Sequence, residues 1–201
     1  MWATQLPKVM SFLAILVSIL FLTFLGATYG PERYYWLLPT LTHYPNCETE
    51  SKEVARIMQT RTPEDMLLFQ ETNEDGVEVA FIRRFPECTA MLKRSPSSWL
   101  LGAMTIWLKV LFNRARPYQL NPEIQPEPSL SAKTPAFPSG HALEAYFAAR
   151  LVSKHCPHKE KEAIALAEEC AKARVIAGLH YPSDAAYSKK LAAAIPNWLI
   201  V

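Results

Sequence analysis

Three short segments of the chain combine cations, histidines and a carboxylate in patterns that suit anion binding and nucleophilic or acid–base chemistry. The first places Lys109 seven residues before Arg116, which Pro117 follows. In a helix, this spacing puts the two cations about two turns apart on nearly one face. Taken alone, the segment is more typical of solvated basic residues, because Lys and Arg mostly lie at protein surfaces.

The second segment reads Pro138-Ser139-Gly140-His141 and precedes an alanine-rich helical sequence. Ser is a preferred N-cap, and Gly lets the backbone approach a ligand closely. The exposed N–H groups and the helix dipole would form an anion site there, with His141 in the first turn. On this segment alone, a capped helix with a surface histidine is the simpler interpretation.

The third segment contains Arg174, His180 and Asp184. Asp184 could accept a hydrogen bond from Nδ1 of His180, which would hold the ring in one tautomer and leave Nε2 as a nucleophile or ligand. The simpler interpretation is that Asp184 only caps the final helix, with assistance from Ser183.

Helical signals dominate the sequence that must position these segments. The N-cap Thr62 is followed by Pro63 and two acidic residues, and Pro117 ends a long helix because it pushes Arg116 away from helical geometry. Residues 77–85 fit a strand or a helix, and we favour the helix. With no repeat and no strand-rich region, we predict an all-α helical bundle. Its other helices are predicted over residues 48–59, 62–71, 97–114 (capped by Ser95 or Ser97), 142–154, 159–178 (with Gly178 at its C-terminal end) and 182–195, with an extended linker over 118–138.

Length and composition limit the classes of protein. With 201 residues, one core of ordinary size is expected. Half of the residues are hydrophobic and 20% are charged, which excludes a disordered chain and a multi-span membrane protein. The formal net charge of +2 gives no electrostatic reason to bind nucleic acid. Any anion site must therefore be local.

The N-terminal segment can cross a membrane once. Residues 9–28 carry no charge, and 20 residues match a hydrocarbon core of roughly 30 Å. A retained signal anchor and a cleaved signal peptide both fit, and the length of the apolar run favours the anchor. Lys8 precedes the run, which predicts a cytoplasmic N-terminus. We therefore expect an anchor or signal peptide at residues 1–30 and an extracytoplasmic domain at 31–201, which would be secreted if the segment is cleaved.

The four cysteines have no CxxC spacing, so a zinc site is not predicted. An exported domain would allow disulfides, whereas four free buried thiols fit the sequence equally well. Four cysteines permit three full pairings, and the sequence leaves them open. They are Cys47, Cys88, Cys156 and Cys170.

Taken together and in this order, the three segments resemble the type 2 phosphatidic acid phosphatase (PAP2) superfamily, which includes class A nonspecific acid phosphatases and vanadium haloperoxidases. Its pattern is K-x6-RP, then PSGH, then SR-x5-H-x3-D, and all spacings are intact here. The resemblance covers roughly residues 50–195, with motifs between 109 and 184. One departure is Ala173, which stands where the family usually has Ser.

The resemblance implies a role for each motif residue and an all-α fold of the acid phosphatase–haloperoxidase type. By this resemblance, His180 attacks phosphorus, Asp184 orients the His180 ring, and His141 protonates the leaving oxygen. Two Arg forks, a Lys and a helix N-terminus can stabilise a transferring phosphoryl group without a metal. The implied phosphate-binding residues are Lys109, Arg116, Ser139, Gly140 and Arg174.

Three functions remain as hypotheses. The favoured one is a membrane-anchored, metal-independent and cofactor-free phosphomonoesterase that forms a phosphohistidine. Since one span precedes a mainly soluble body, small phosphomonoesters are expected rather than lipid phosphates. Vanadate would inhibit this enzyme. The second is a vanadium haloperoxidase with vanadate bound to His180, for which the chain is short. The third is a non-catalytic membrane-anchored module, which the complete set of site residues disfavours.

Overall fold

The computed structural model describes residues 17–18, 45–94 and 97–196, and every regular element in this part of the chain is helical. The predicted all-α class is therefore confirmed. In residues 45–94 and 97–196 the α-helices are, in chain order, α1 (Cys47–Met58), α2 (Pro63–Glu74), α3 (Val77–Arg84), α4 (Thr89–Arg94), α5 (Ser97–Phe112), α6 (Pro117–Leu120), α7 (Gly140–His155), α8 (Glu160–Ile176) and α9 (Pro182–Ala194). Short 3-10 turns occur at Pro86–Cys88, Leu130–Lys133 and Pro157–Lys159.

Local capping explains where the first helices begin. Oδ1 of Asn46 accepts hydrogen bonds from the first-turn amides of α1. Thr62 and Asp65 form a reciprocal capping box at the start of α2, and Pro63 occupies its first position. The prediction for α2 was too short at its C-terminal end by about one turn. The segment that fitted either a strand or a helix is the helix α3, as favoured.

The long helix α5 ends earlier than predicted. It stops at Phe112, and Asn113 then takes a left-handed conformation with φ 47°. Asn is among the few residues other than Gly that adopt this conformation readily. The prediction that Lys109 and Arg116 share one helix face is wrong, because the chain turns at Asn113 and Arg116 precedes α6 instead. The region predicted as an extended linker also contains α6 and a 3-10 turn.

Helices α7 and α8 pack against each other at the centre of the described bundle, with α9 and α2 beside them. Their shared core combines small alanines with larger side chains from α3. Phe81 and Phe85 are fully buried there, with ring centroids 5.9 Å apart. Truncating such a phenylalanine to alanine typically costs about 3–5 kcal/mol. This core fixes the N-terminus of α7 relative to the C-terminus of α8, where the motif residues lie.

A glycine turn ends α8 and directs the chain towards α9. Gly178 has φ 74°, and a Cβ atom at this position would lie 2.9 Å from Cγ2 of Ile124. Both the left-handed backbone and the close approach require glycine. The predicted C-terminal glycine of this helix is confirmed.

Among the described residues, no helix combines the length and the apolar character needed to cross a membrane. The predicted span at residues 9–28 lies outside the described residues, apart from helical residues 17 and 18. Ser95, one of the two predicted caps of α5, also lies outside them.

Candidate active site

The turn between α8 and α9 brings a histidine and an aspartate together in the protein interior. Nδ1 of His180 lies 3.3 Å from Oδ2 of Asp184, and both side chains are buried. The same Oδ2 accepts a hydrogen bond of 3.0 Å from the backbone N–H of Tyr181 at the start of α9. Asp184 therefore contacts the histidine ring and also caps α9, so capping is not its only contact.

Arg116 meets the other nitrogen of the histidine ring. Its Nη1 lies 2.9 Å from Nε2 of His180 and 2.6 Å from the carbonyl oxygen of Leu179. Its other nitrogens donate to the carbonyl oxygens of Thr134 and Ser131 at 2.8 and 2.7 Å. A guanidinium can only donate, so Nε2 is the acceptor, and Nδ1 carries the proton and donates a hydrogen bond to Asp184. The contacts thus select the tautomer with a lone pair on Nε2.

The N-terminus of α7 lies in the same region. Ser139 is the N-cap of α7 and is fully buried, and its backbone carbonyl accepts a hydrogen bond from Ser188 of α9. A Cβ atom on Gly140 would meet Thr105 of α5 at 3.3 Å, which shows how closely α5 approaches this end of α7. Lys109, one turn further along α5, donates to the carbonyl oxygen of Pro135.

Arg174 lies in the last turn of α8 and is fully buried. It donates to Oδ1 of Asn73 and Oγ1 of Thr72, both on α2, at 3.1 and 2.9 Å. Its guanidinium also stacks 4.8 Å from the ring centroid of Phe69. Its Nε is buried with no hydrogen-bond partner among the described residues, which makes it a donor that an anion can engage. Neutral groups of α2 thus hold Arg174 without neutralising its charge.

The buried cations act on one another and on the two histidines. Burial, followed by the charges of Arg174, Lys109 and Arg116, lowers the pKa of His141 to about 3. Burial and then Arg116 likewise hold the pKa of His180 well below its usual value. Burial and Arg116 also lower the pKa of Lys109. Such a concentration of positive charge inside a protein is the arrangement expected of an anion site.

Two charged residues that the sequence analysis did not identify complete the support of Asp184. Nη1 of Arg114 lies 2.5 Å from Oδ1 of Asp184, and its Nη2 lies 2.7 Å from Oε2 of Glu50 on α1. Glu50 in turn accepts hydrogen bonds from the backbone N–H and the hydroxyl of Ser183, at 2.8 and 2.7 Å. Burial alone would raise the pKa of Asp184, but Arg114 and His180 hold it below its usual range.

Some sequence signal existed for one of these two residues. Arg114 lies two positions before Arg116, in the same basic segment, but nothing in the sequence indicated which carboxylates it would contact. Glu50 lies in the first turn of α1, where an acidic residue is ordinary helix chemistry. Its pairing with Arg114 follows only from the tertiary structure, which places Glu50 beside Ser183 at the start of α9.

The arrangement can hold an anion among fixed donors, beside a histidine whose tautomer places the lone pair on Nε2. Arg116 and Asp184 contact His180 directly, whereas Lys109 and Arg174 act on the histidines through their charges. Donors and dipoles of this kind stabilise charge that develops on a transferring group. The predicted site residues Ser139, Gly140 and His141 stand at the adjoining helix terminus.

Comparisons with known proteins found one matching family model and matching solved structures. A family model described as the PAP2 superfamily matches residues 97–200, which include all eight predicted site residues. No curated protein sequence matches the chain. Four chains of solved structures match it. One is a transmembrane PAP2-type phosphatidylglycerolphosphate phosphatase from Bacillus subtilis, with 19% sequence identity and a TM-score of 0.49, covering 91% of this chain and 90% of that chain.

Proposed function

Because the chain belongs to the PAP2 superfamily and is a phosphatase of that superfamily, we propose that it hydrolyses phosphomonoesters without a metal ion, through a phosphohistidine formed on His180. The observation that carries this proposal is the pair of contacts on the His180 ring. Arg116 lies against Nε2 and Asp184 against Nδ1, which defines the nitrogen that attacks and the carboxylate that supports it.

The substrate phosphate binds among the buried cations. Its oxygens receive hydrogen bonds from Lys109, Arg116 and Arg174, and from the first amides of α7 beside Ser139 and Gly140. The N–H of Arg116 that now lies against Nε2 turns to a phosphate oxygen when the anion arrives. This exchange frees the lone pair of His180 at the moment when phosphorus comes within reach. Binding and activation of the nucleophile are therefore coupled.

Phosphoryl transfer then follows in two steps. Nε2 of His180 forms a bond to phosphorus while the bond to the leaving oxygen breaks, and His141 gives its proton to that oxygen. The new positive charge on the His180 ring lies beside the ionised Asp184. In the second step, His141 takes a proton from water, the water oxygen attacks phosphorus, and His180 leaves with its bonding electrons. Inorganic phosphate is released.

The proton on His141 must arrive with the substrate. In the free protein, burial and three cations keep the pKa of His141 at about 3, so its ring is neutral near pH 7. A phosphate dianion offsets those cations and raises this pKa towards its ordinary value. The bell-shaped pH profile expected for an acid–base pair of histidines should therefore appear in kcat, which reports the complex.

Small phosphomonoesters are the substrate class that we propose first. A phosphate carried on a lipid is the second candidate, and a feature of α5 favours it. Ile106 and Trp107 are 41% and 44% exposed, whereas Thr105 and Lys109 of the same helix are buried. This helix directs apolar groups outward and polar groups towards the site, which suits an apolar surface beside the phosphate pocket.

We also propose that residues 9–28 anchor the chain in a membrane with the catalytic domain outside the cytoplasm. The uncharged length of this segment and the preceding Lys8 support the proposal. Tethering would keep the site close to lipid headgroups. Carbonate extraction and protease protection of the full-length chain test the anchor and the orientation separately.

A phosphate-release assay on the detergent-purified full chain tests the activity. We expect release from nitrophenyl phosphate or from phosphatidic acid in mixed micelles, unchanged by EDTA and inhibited by vanadate. The matched control is Arg174→Lys, which keeps the charge but loses the bidentate fork and should lose most activity. Activity lost to chelation and restored by a divalent metal would contradict the metal-free mechanism. Halide oxidation with vanadate and peroxide would favour the haloperoxidase hypothesis.

A further inference from the structure

Two cysteines meet on the face of the bundle formed by the C-terminal end of α7. Sγ of Cys88 lies 2.7 Å from Sγ of Cys156. Nonbonded carbon atoms pack at roughly 3.5–4.0 Å, and sulfur is larger than carbon, so this approach is closer than ordinary packing. Cys88 ends the 3-10 turn after α3 and is buried, whereas Cys156 caps the end of α7 and is half-buried.

We propose that Cys88 and Cys156 form an intramolecular disulfide when the chain meets an oxidising thiol–disulfide environment. The other two cysteines are placed elsewhere. Cys47 accepts a hydrogen bond of 3.5 Å from Arg114, and Cys170 is buried in the core of α8. The structure thus singles out one pair among the pairings that the sequence leaves open.

A metal site is the competing use of these sulfurs, because the carboxylate of Glu87 lies within 4.8 Å of both. Two thiolates on one tetrahedral zinc, each about 2.3 Å from the ion, stand roughly 3.8 Å apart. The observed separation of 2.7 Å is shorter than that and nearer the bonded geometry. The contact therefore favours a covalent link over shared coordination.

The accessible thiol reacts first. Cys156, as a thiolate, attacks one sulfur of a small donor disulfide such as oxidised glutathione, and one donor thiolate leaves. Burial, together with Cys156, raises the pKa of Cys88 to about 12, so Cys88 is a poor first nucleophile but lies next to the mixed disulfide. It loses its proton to water and attacks Sγ of Cys156, and the second donor thiolate leaves. The two protein thiols lose two electrons, which reduce the donor disulfide to two thiols.

The link would close a long loop around part of the active site. Cys88 and Cys156 are 68 positions apart, and the chain between them carries Lys109, Arg116 and the start of α7. A bridge over a loop of this length restricts the unfolded chain strongly. We expect reduction to lower the thermal unfolding midpoint by roughly 5–15 °C.

Alkylation and peptide mapping of the full-length chain test the proposal. The detergent-purified protein is equilibrated with oxidised or reduced glutathione, alkylated, and digested without reductant. We expect one linked peptide pair containing Cys88 and Cys156 after oxidation, lighter by two hydrogens than the sum of the two thiol peptides. Cys170→Ala should keep the link, Cys88→Ser should abolish it, and reduction should lower the unfolding midpoint of the wild type but not of Cys88→Ser.

Three results would overturn the proposal. One is complete alkylation of both thiols in folded wild-type protein after oxidation. Another is a link that involves Cys47 or Cys170. The third is one bound zinc ion per chain that protects Cys88 and Cys156 from alkylation, which would assign the pair to a metal site. The wild-type mapping decides among these outcomes even if a serine variant fails to fold, and none of them depends on the phosphatase activity.

Discussion

Removing the charge of Arg114 should affect stability and activity together. In Arg114→Met, a side chain of similar length leaves Glu50 and Asp184 as uncompensated carboxylates, and these are only 4% and 0% exposed. Breaking a buried ion pair from one side costs about 3–5 kcal/mol. Although two ion pairs are lost, Asp184 keeps its hydrogen bonds from His180 and Tyr181, so we expect the total loss of unfolding free energy to stay within the range for one pair.

The effect on catalysis follows from the pKa of Asp184. Without Arg114, burial is no longer offset by this cation, and the pKa of Asp184 rises. A protonated Asp184 no longer supports the positive charge that develops on His180. The acid limb of the kcat profile should therefore move to higher pH, and kcat near pH 6 should fall at least tenfold. Arg114→Lys keeps the charge but loses the fork that reaches both carboxylates, so we expect an intermediate effect.

Glu50→Gln is the matched control. It preserves the shape of the side chain and the contact between Arg114 and Asp184, so its acid limb should stay close to that of the wild type. The measurements are urea unfolding curves at pH 7 and kcat from pH 4 to 9 for all four proteins. If Arg114→Met unfolds within 1 kcal/mol of the wild type and keeps the wild-type acid limb, the proposed support of Asp184 is wrong.

Three other outcomes are expected. Gly178→Ala should lower the free energy of unfolding, measured by urea titration, by about 2–4 kcal/mol, because alanine would have to adopt a left-handed backbone and make a close contact. The pKa values of His180 and His141 are lowered in the folded protein, so their contribution to stability is present above the unfolded pKa of about 6.5 and is lost as pH falls below it. Urea midpoints should therefore fall from pH 7 to pH 5. Glu144 partly opposes this trend, because burial raises its pKa to about 6. Because the pKa of His141 is lowered to about 3 in the free protein, vanadate binding should take up a proton, measured by calorimetry in buffers of different ionisation enthalpy, and His141→Ala should remove this uptake.

The elements of the fold were largely predictable because their signals are local. Thr62 and Pro63 indicate the start of α2, and Gly178 indicates the end of α8, because capping and a left-handed glycine act within one helical turn. The end of α5 was predicted two residues too late. Pro117 is the conspicuous helix breaker in the sequence, but Asn113 already leaves the helical conformation.

The motif residues could be predicted because each motif is a short stretch of sequence. Their partners could not, because the partners come from distant segments. Arg174 is held by Asn73 and Thr72, about 100 positions away, and nothing in the sequence of α2 indicates that function. The same holds for Glu50, which reaches Ser183 across 133 positions. These contacts form only when the helices pack together, so they cannot be predicted from the pattern within one segment.

Trapping the phosphoenzyme tests the central claim most directly. The full-length wild type, His180→Ala and His141→Ala are mixed with a phosphomonoester labelled on phosphorus that has a good leaving group, and are quenched within milliseconds. We predict acid-labile label on the wild type and none on His180→Ala. His141→Ala should become labelled, because a weakly basic leaving group needs no proton, and should lose the label slowly because the water lacks its base. Label on His180→Ala at the wild-type level would contradict the assignment of His180 as the nucleophile.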